Sequence, residues 1–106
     1  MSQKYRKWDV CIANVRYEDL PVSKVRPVLV LDNQSATVLG LKMTSHQPRQ
    51  GEYGLVQWSK AGLKKPTTVR VSKQLCIQEQ DIRAKIGHLT PVDIAGVQKA
   101  INDLSK

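Results

Sequence analysis

Phenylalanine is missing from this 106-residue chain, and aromatic residues together make up only 5% of it. Its core must therefore be built from Val, Ile and Leu, and a general aromatic platform for stacking bases is excluded. Cysteine is scarce too: Cys11 and Cys76 lie far apart, each in an apolar, strand-like run. Buried free thiols in a reducing compartment are expected, not a disulfide. His46 and His88 have no Cys or His neighbours at ligand spacing, so neither a metal site nor another cofactor is expected. No apolar run approaches the roughly 20 residues of a spanning helix. No amphipathic helix carries a basic face with aromatic anchors, and the basic start from Met1 to Lys7 has no apolar stretch of the signal-peptide kind. These absences argue against membrane attachment and predict a cytoplasmic protein.

Acidic residues are also in short supply. Nine Asp and Glu stand against 17 Lys and Arg, a formal charge of +8. That surplus favours polyanionic partners, nucleic acid or an acidic protein segment. With 41% hydrophobic and 25% charged residues the chain reads as folded, and its length fits one domain, residues 1–106, with one core.

The most informative run is Val25-Arg26-Pro27-Val28-Leu29-Val30-Leu31. Proline cannot donate to a ladder, so it opens a strand or sits on an edge. The four aliphatic residues behind it predict a strand buried on both faces. Arg26 is thereby placed at the rim of a core, and a guanidinium held there presents a planar fork suited to phosphate oxygens. A solvated arginine at a strand start is the plainer alternative. Upstream, Trp8 to Ala13 reads as a first strand with Val10 and Ile12 on one face, and Val15 to Val25 as a polar loop. Downstream, Asp32-Asn33-Gln34-Ser35 signals a turn and Ala36 to Met43 a returning strand, with Leu39, Leu41 and Met43 on one face. Gly40 there marks a bulge or a close contact.

A polar loop, Thr44 to Gly51, precedes a short strand from Glu52 to Trp58. Ser59 to Leu63 reads as one helical turn stopped by glycine, or as a tight turn, and Thr67 to Ile77 as a long strand with Val69 and Val71 facing the core. Ile82 to Ile86 alternates as a last strand, with a two-turn helix from Asp81 as the competing reading. Thr90 suits a helix N-cap, Pro91 the first helical position and Asp93 the third. Ile94, Val97, Ile101 and Leu104 then form one apolar stripe. Strands followed by one C-terminal helix predict a mainly β fold, a small curled antiparallel sheet or barrel. In the hairpin, Arg26 and Thr44 fall at the same end, opposite the turn. Two hydroxyls, Thr44 and Ser45, beside an arginine can hold one phosphate; a plain loop start is the alternative.

The run Lys24 to Leu31, the strand ending in Thr44-Ser45, Trp58 to Leu63, Lys65-Pro66-Thr67, Val69-Arg70 and Ile86-Gly87-His88-Leu89 with its helix occur in an order that resembles the MazF/PemK-like toxins of bacterial toxin–antitoxin modules. The resemblance spans nearly the whole chain. It implies a small SH3-like antiparallel β-barrel with a C-terminal helix, working as a homodimer. It also implies metal-free, sequence-selective cleavage of single-stranded RNA, chiefly messenger RNA. In that reaction the ribose 2′-hydroxyl attacks the adjacent phosphate and leaves 2′,3′-cyclic phosphate and 5′-hydroxyl ends. By position, Arg26 would bind the scissile phosphate, Thr44 and Ser45 would hold its oxygens, and Arg70 would stabilise charge or donate a proton.

The chain departs from the family at Ser72, where members commonly carry an aspartate that some use as general base. His46, Glu18 or Asp19 are the remaining candidates for that task. Imidazole has the fitting intrinsic pKa near 6.5, against the plainer reading of His46 as a solvated loop residue. Arg49, Lys64, Lys65, Ser72, Lys73, Arg83 and Lys85 are candidates for an RNA path, with a scattered solvated surface as the alternative. Trp58 suits either stacking on a base or packing under the following turn. The implied partner is a cognate antitoxin with an acidic or amphipathic disordered segment. Two other readings stand beside the nuclease: a same-fold toxin that binds a protein target, as the gyrase-poisoning CcdB branch does, and a barrel that binds nucleic acid without cutting it. The protein-binding branch depends on a C-terminal tryptophan, and this chain ends Ile101-Asn102-Asp103-Leu104-Ser105-Lys106.

Overall fold

Period-two burial in the strand-forming runs builds one six-stranded antiparallel sheet, to which a single helix is added at the C-terminal end. The computed structural model describes residues 4–16, 23–34 and 36–104. Its strands are β1 (Asp9–Arg16), β2 (Ser23–Gln34), β3 (Thr37–Thr44), β4 (Tyr53–Gly54), β5 (Thr68–Gln78) and β6 (Ile82–His88), followed by helix α1 (Pro91–Leu104). They are ordered β4-β5-β3-β2-β1-β6, so β4 and β6 are the sheet's edges.

The β2–β3 hairpin is present as the sequence indicates, but β2 is longer than expected. It starts at Ser23, so Pro27 lies within the strand and pairs with Ile12 of β1. Its missing N–H is tolerated because the β3 ladder begins only at Val28–Lys42. Pro27 therefore falls where β2 is paired on the β1 side alone. The expected Val15–Val25 loop shrinks accordingly, and its Glu18 and Asp19 lie outside the described residues. Asp32, Asn33 and Gln34 are strand and not turn, and Ser35 also lies outside the described residues. Val28, Leu29 and Val30 are fully buried while Leu31 is partly exposed. At Leu31 the register slips against Leu39 and Gly40, and a Cβ at Gly40 would stand 3.0 Å from the Leu29 carbonyl oxygen. Glycine is needed there because the backbones approach closely.

Instead of one core, two clusters of buried residues lie on opposite faces of the sheet. Val10, Leu29, Leu41, Met43, Val69 and Val71 pack with Val97 of α1. Cys11, Ala13, Val15, Val28, Val30, Val38, Ile77 and Ile82 form the second cluster with Tyr5. On β1 the face carrying Cys11, Ala13 and Val15 is therefore the more buried one, and Ile12 is only partly buried. Val69 and Ile77 have the same parity yet serve different clusters. The cause is a slip in the β3–β5 ladder, where Lys42 pairs with Arg70 but Leu41 with Gln74. The intervening residues turn the strand over. They also leave Cys76 exposed, against the expectation of a buried thiol, whereas Cys11 is buried. Burial, with the Asp9 carboxylate nearby, pushes the Cys11 thiol up to about 11.

The short strand expected from Glu52 to Trp58 is reduced to Tyr53–Gly54. The reason lies in α1. Asp93 is fully buried and accepts hydrogen bonds from the Tyr53 hydroxyl and from the N–H groups of Val56 and Gln57, each at 2.8 Å. These bonds take the chain off the sheet and onto the helix start. Burial first, and then this bond to Asp93, push the Tyr53 phenol up to about 12. Thr90 supplies its carbonyl to the Ile94 N–H at 2.9 Å, but its hydroxyl is buried without a partner and makes no cap. Val97 is buried and Ile94 and Ile101 pack on the first cluster, while Leu104 at the end of the stripe is 50% exposed.

The sheet is not closed by a ladder; the segment that follows β4 crosses to the other edge. A 3₁₀ turn at Trp58–Ala61 ends on Gly62 in the left-handed region at φ 90°, and this turn packs against β6. A Cβ on Gly62 would collide with the Ile86 carbonyl, and one on Gly87 with that of Ala61. Two glycine backbones thus form the seam.

Close by, Asp9 is almost wholly buried. It accepts the Arg6 N–H at 2.8 Å, pairs with His88 Nδ1 at 2.7 Å, and lies 3.9 Å from Lys85 Nζ. Preceding it, Trp8 holds a left-handed φ of 76°, fixed by its N–H to the Val30 carbonyl and by its carbonyl to the Leu89 N–H. Burial raises the Asp9 carboxyl, but the Arg6 N–H, His88 and Lys85 together hold it below its ordinary 3.8. A carboxyl with a depressed folded value stabilises the fold above its unfolded value and loses that contribution as the pH falls through the folded one. The melting temperature should therefore drop on acidification below about pH 4, and Asp9→Asn should flatten that part of the profile while lowering stability at neutral pH. A profile with an unchanged acid limb in Asp9→Asn would contradict this assignment.

Candidate active site

Where the β2–β3 ladder stops at Val28–Lys42, the two strands part and leave an open cavity of about 240 Å³. Arg26 reaches it from β2, Lys42, Met43 and Thr44 from β3, and Arg70 from β5; Ser45, His46, Arg49 and Glu52 close it from the connecting loop. The aliphatic run behind Pro27 fixes β2 in the core, and Arg26 stands exposed within the strand, paired with Ala13 of β1 but beyond the end of the β3 ladder. No described residue pairs with its guanidinium. Hairpin geometry predicts that Arg26 lies near Thr44, and the two line the same cavity. Arg70 comes from the neighbouring strand because Lys42 and Arg70 are partners in the β3–β5 ladder.

The loop is tied down at both ends. The Thr68 hydroxyl donates to the His46 carbonyl at 2.6 Å, and the His46 N–H donates to the Thr44 hydroxyl at 3.4 Å. At the other end, the Glu52 N–H donates to the Arg49 carbonyl at 2.9 Å. The Arg49 N–H returns to Glu52 Oε1 at 3.0 Å, and Gly51 takes φ 82° between them, as the third position of a type II turn requires.

Glu52 was not singled out in the sequence. Its second oxygen accepts the Arg70 Nε–H at 2.8 Å, and its side chain is only 9% exposed against 27% for Arg70. The Arg49 N–H, outweighing burial with the help of the Arg70 guanidinium, holds the Glu52 carboxyl below its usual range. The cavity therefore contains four cations, Arg26, Lys42, Arg49 and Arg70, and one ionised carboxylate. Such a site draws in an anion and offers it several charged and hydroxyl donors. Glu52 has one local signal, the Arg49-to-Glu52 turn around Gly51, but its partner is 18 residues away and nothing in the pattern announces it.

Of the other residues expected at an RNA path, Lys64, Lys65, Ser72 and Lys73 are exposed but do not line the cavity. Ser72 and Lys73 fall in the unpaired part of β5. Arg83 and Lys85 are exposed on β6. Trp58 packs against the first buried cluster, which favours the packing reading. Among the described residues, no group of three His, Cys, Asp or Glu side chains is arranged to hold a metal ion, and no helix is long and apolar enough to cross a membrane.

The sequence matches the family model described as PemK-like, MazF-like toxin of type II toxin–antitoxin systems over residues 6–105. No curated protein sequence matches it. Among solved structures the fold is similar to the Mycobacterium tuberculosis toxin MazF-mt6, with a TM-score of 0.72 and 23% identity over 90% of this chain and 93% of that one. It is similar as well to an endoribonuclease from a mycobacterial species in complex with its cognate antitoxin, with a TM-score of 0.74 and 14% identity over 92% and 90% of the two chains. The MazE–MazF structure from Deinococcus radiodurans aligns with a TM-score of 0.68 and 15% identity over 93% and 92%.

Proposed function

We propose that this chain, which belongs to the PemK-like, MazF-like toxins of type II toxin–antitoxin systems, is an endoribonuclease that cuts single-stranded RNA, messenger RNA above all, at selected sequences and without a metal ion. The observation that carries this reading is the single cavity shared by Arg26, Thr44, Ser45 and Arg70. RNA brings its own nucleophile. Its 2′-hydroxyl loses its proton and attacks the adjacent phosphorus, the bond to the 5′-oxygen breaks, and that oxygen takes a proton from solvent, so that a 2′,3′-cyclic phosphate and a 5′-hydroxyl result. The protein then needs to bind the phosphate and stabilise the charge that grows on its oxygens.

Arg26 supplies the paired donors for that charge, Thr44 and Ser45 hold phosphate oxygens, and Arg70 stabilises the departing oxygen from the β5 side. An arginine that stays protonated suits charge stabilisation better than proton donation. His46 lines the cavity and remains the candidate for receiving the 2′-hydroxyl proton, since Ser72 cannot. Lys64, Lys65, Ser72 and Lys73, exposed outside the cavity, would contact the flanking backbone. The protein works as a cytoplasmic homodimer and is held inactive by an antitoxin whose acidic segment is attracted by the same positive surplus.

The test is incubation of the purified protein, free of antitoxin, with a mixed RNA in EDTA, followed by mapping of the ends. Cleavage leaving 5′-hydroxyl ends is expected. RNA that stays intact at high protein concentration would sink the nuclease in favour of binding alone.

A further inference from the structure

We infer that Glu52 is the positioning residue that aims Arg70 into the cavity, leaving the guanidinium's two terminal nitrogens for a phosphate. This rests on the phosphate-binding reading of the same cavity. The geometry is specific. Glu52 takes Arg70 through Nε at 2.8 Å, and no described residue accepts from either terminal nitrogen. An arginine held by a carboxylate through both terminal groups would have no fork left for a substrate. One held through Nε keeps the end-on pair of donors free and fixed in direction. Without Glu52, the side chain would have to give up its rotamer freedom on binding RNA.

Glu52 is itself immobilised. Its other oxygen accepts the Arg49 N–H, and its own N–H returns to the Arg49 carbonyl. Both oxygens are thus occupied, and the carboxylate is nearly buried. A group so engaged, and held below its usual pKa range, is poorly placed to take a proton from a 2′-hydroxyl. That argues for positioning and against general-base work. The same arrangement offsets the charge of Arg70 from behind, so that three arginines share one cavity with less mutual repulsion.

The experiment has two parts. In proton–nitrogen NMR of the wild-type protein, the Arg70 Nε–H should give a resolved signal protected from exchange, and Glu52→Gln should abolish that protection. Inorganic phosphate should shift the terminal Arg70 signals in the wild type and shift them less in Glu52→Gln. In cleavage assays, Glu52→Gln should lower kcat by about 10- to 100-fold, the scale of a misplaced catalytic group, with KM changed less than about twofold. In an Arg70→Ala background the same substitution should cost nothing further. A full additional loss in that background would overturn the inference, because Glu52 would then act on the RNA directly. So would wild-type-like kcat in Glu52→Gln, or an unprotected Arg70 Nε–H in the wild type. A wild-type protein that cuts no RNA defeats the proposed reaction; the NMR and phosphate readouts still decide the role of Glu52.

Discussion

Arg26→Ala is expected to slow RNA cleavage by roughly 10²–10³-fold, the cost of removing one preorganised donor from a developing oxyanion. The loss should fall on kcat, because the charge that Arg26 meets is greater in the transition state than in the bound RNA. The fold should hardly notice. Arg26 is exposed, no described residue pairs with it, and surface substitutions of this kind shift stability by at most about 0.5 kcal/mol. Arg26→Lys separates charge from geometry. Lysine keeps the cation but loses the planar fork, so it should recover only part of the rate. Single-turnover cleavage of a short RNA, with the unfolding midpoint measured on the same preparation, checks both halves. An Arg26→Ala protein that cuts at the wild-type rate would remove Arg26 from the reaction.

Asp93→Ala should have the largest effect on stability, a loss of about 3–5 kcal/mol from a total that for domains of this kind is about 5–15 kcal/mol. Asp93 is completely buried, and its two oxygens serve the Tyr53 hydroxyl and the N–H groups of Val56 and Gln57. Alanine would leave these three donors without the partner that they share. Asp93→Asn keeps one acceptor oxygen and should fall between the two. Urea unfolding gives the magnitude, and hydrogen exchange at the Val56 and Gln57 amides shows whether the loss is local. Tyr53 directly follows Glu52, so an unclamped loop should also loosen the Glu52–Arg70 pair. A change below about 1 kcal/mol, the scale of an ordinary exposed cap, would mean that these bonds carry little of the fold.

Much of the molecule was legible where its causes are local. The β2–β3 hairpin follows from an apolar run, a turn and a second apolar run, and the closeness of Arg26 to Thr44 follows from antiparallel pairing. Pro91 opens α1 as its fixed φ suggests, and Gly62 ends its 3₁₀ turn. The misreadings share a different origin. Asp93 fits the role of a helix-start carboxylate, yet its partners are 36 to 40 residues away. Those partners also explain why the strand expected after Glu52 is so short. Pro27 is tolerated inside β2 because of which neighbour is present there, a property of the sheet and not of the strand. Cys76 is exposed because β5 slips against β3, and period two cannot foresee a slip. Glu52 was invisible for the same reason: a lone glutamate becomes informative only once Arg70 is beside it.

The seam at Gly62 and Gly87 has an evolutionary consequence. The two glycines are 25 residues apart in sequence but act as one position, since a methyl group on either would occupy space already filled by the carbonyl of the residue that precedes the other, Ile86 or Ala61. Neither can compensate for change in the other, because both are already at the smallest side chain available. Pairs of this kind leave no trace of correlated substitution; they stay fixed together or are lost together. Across relatives that keep this curl, the seam should therefore appear as two invariant columns.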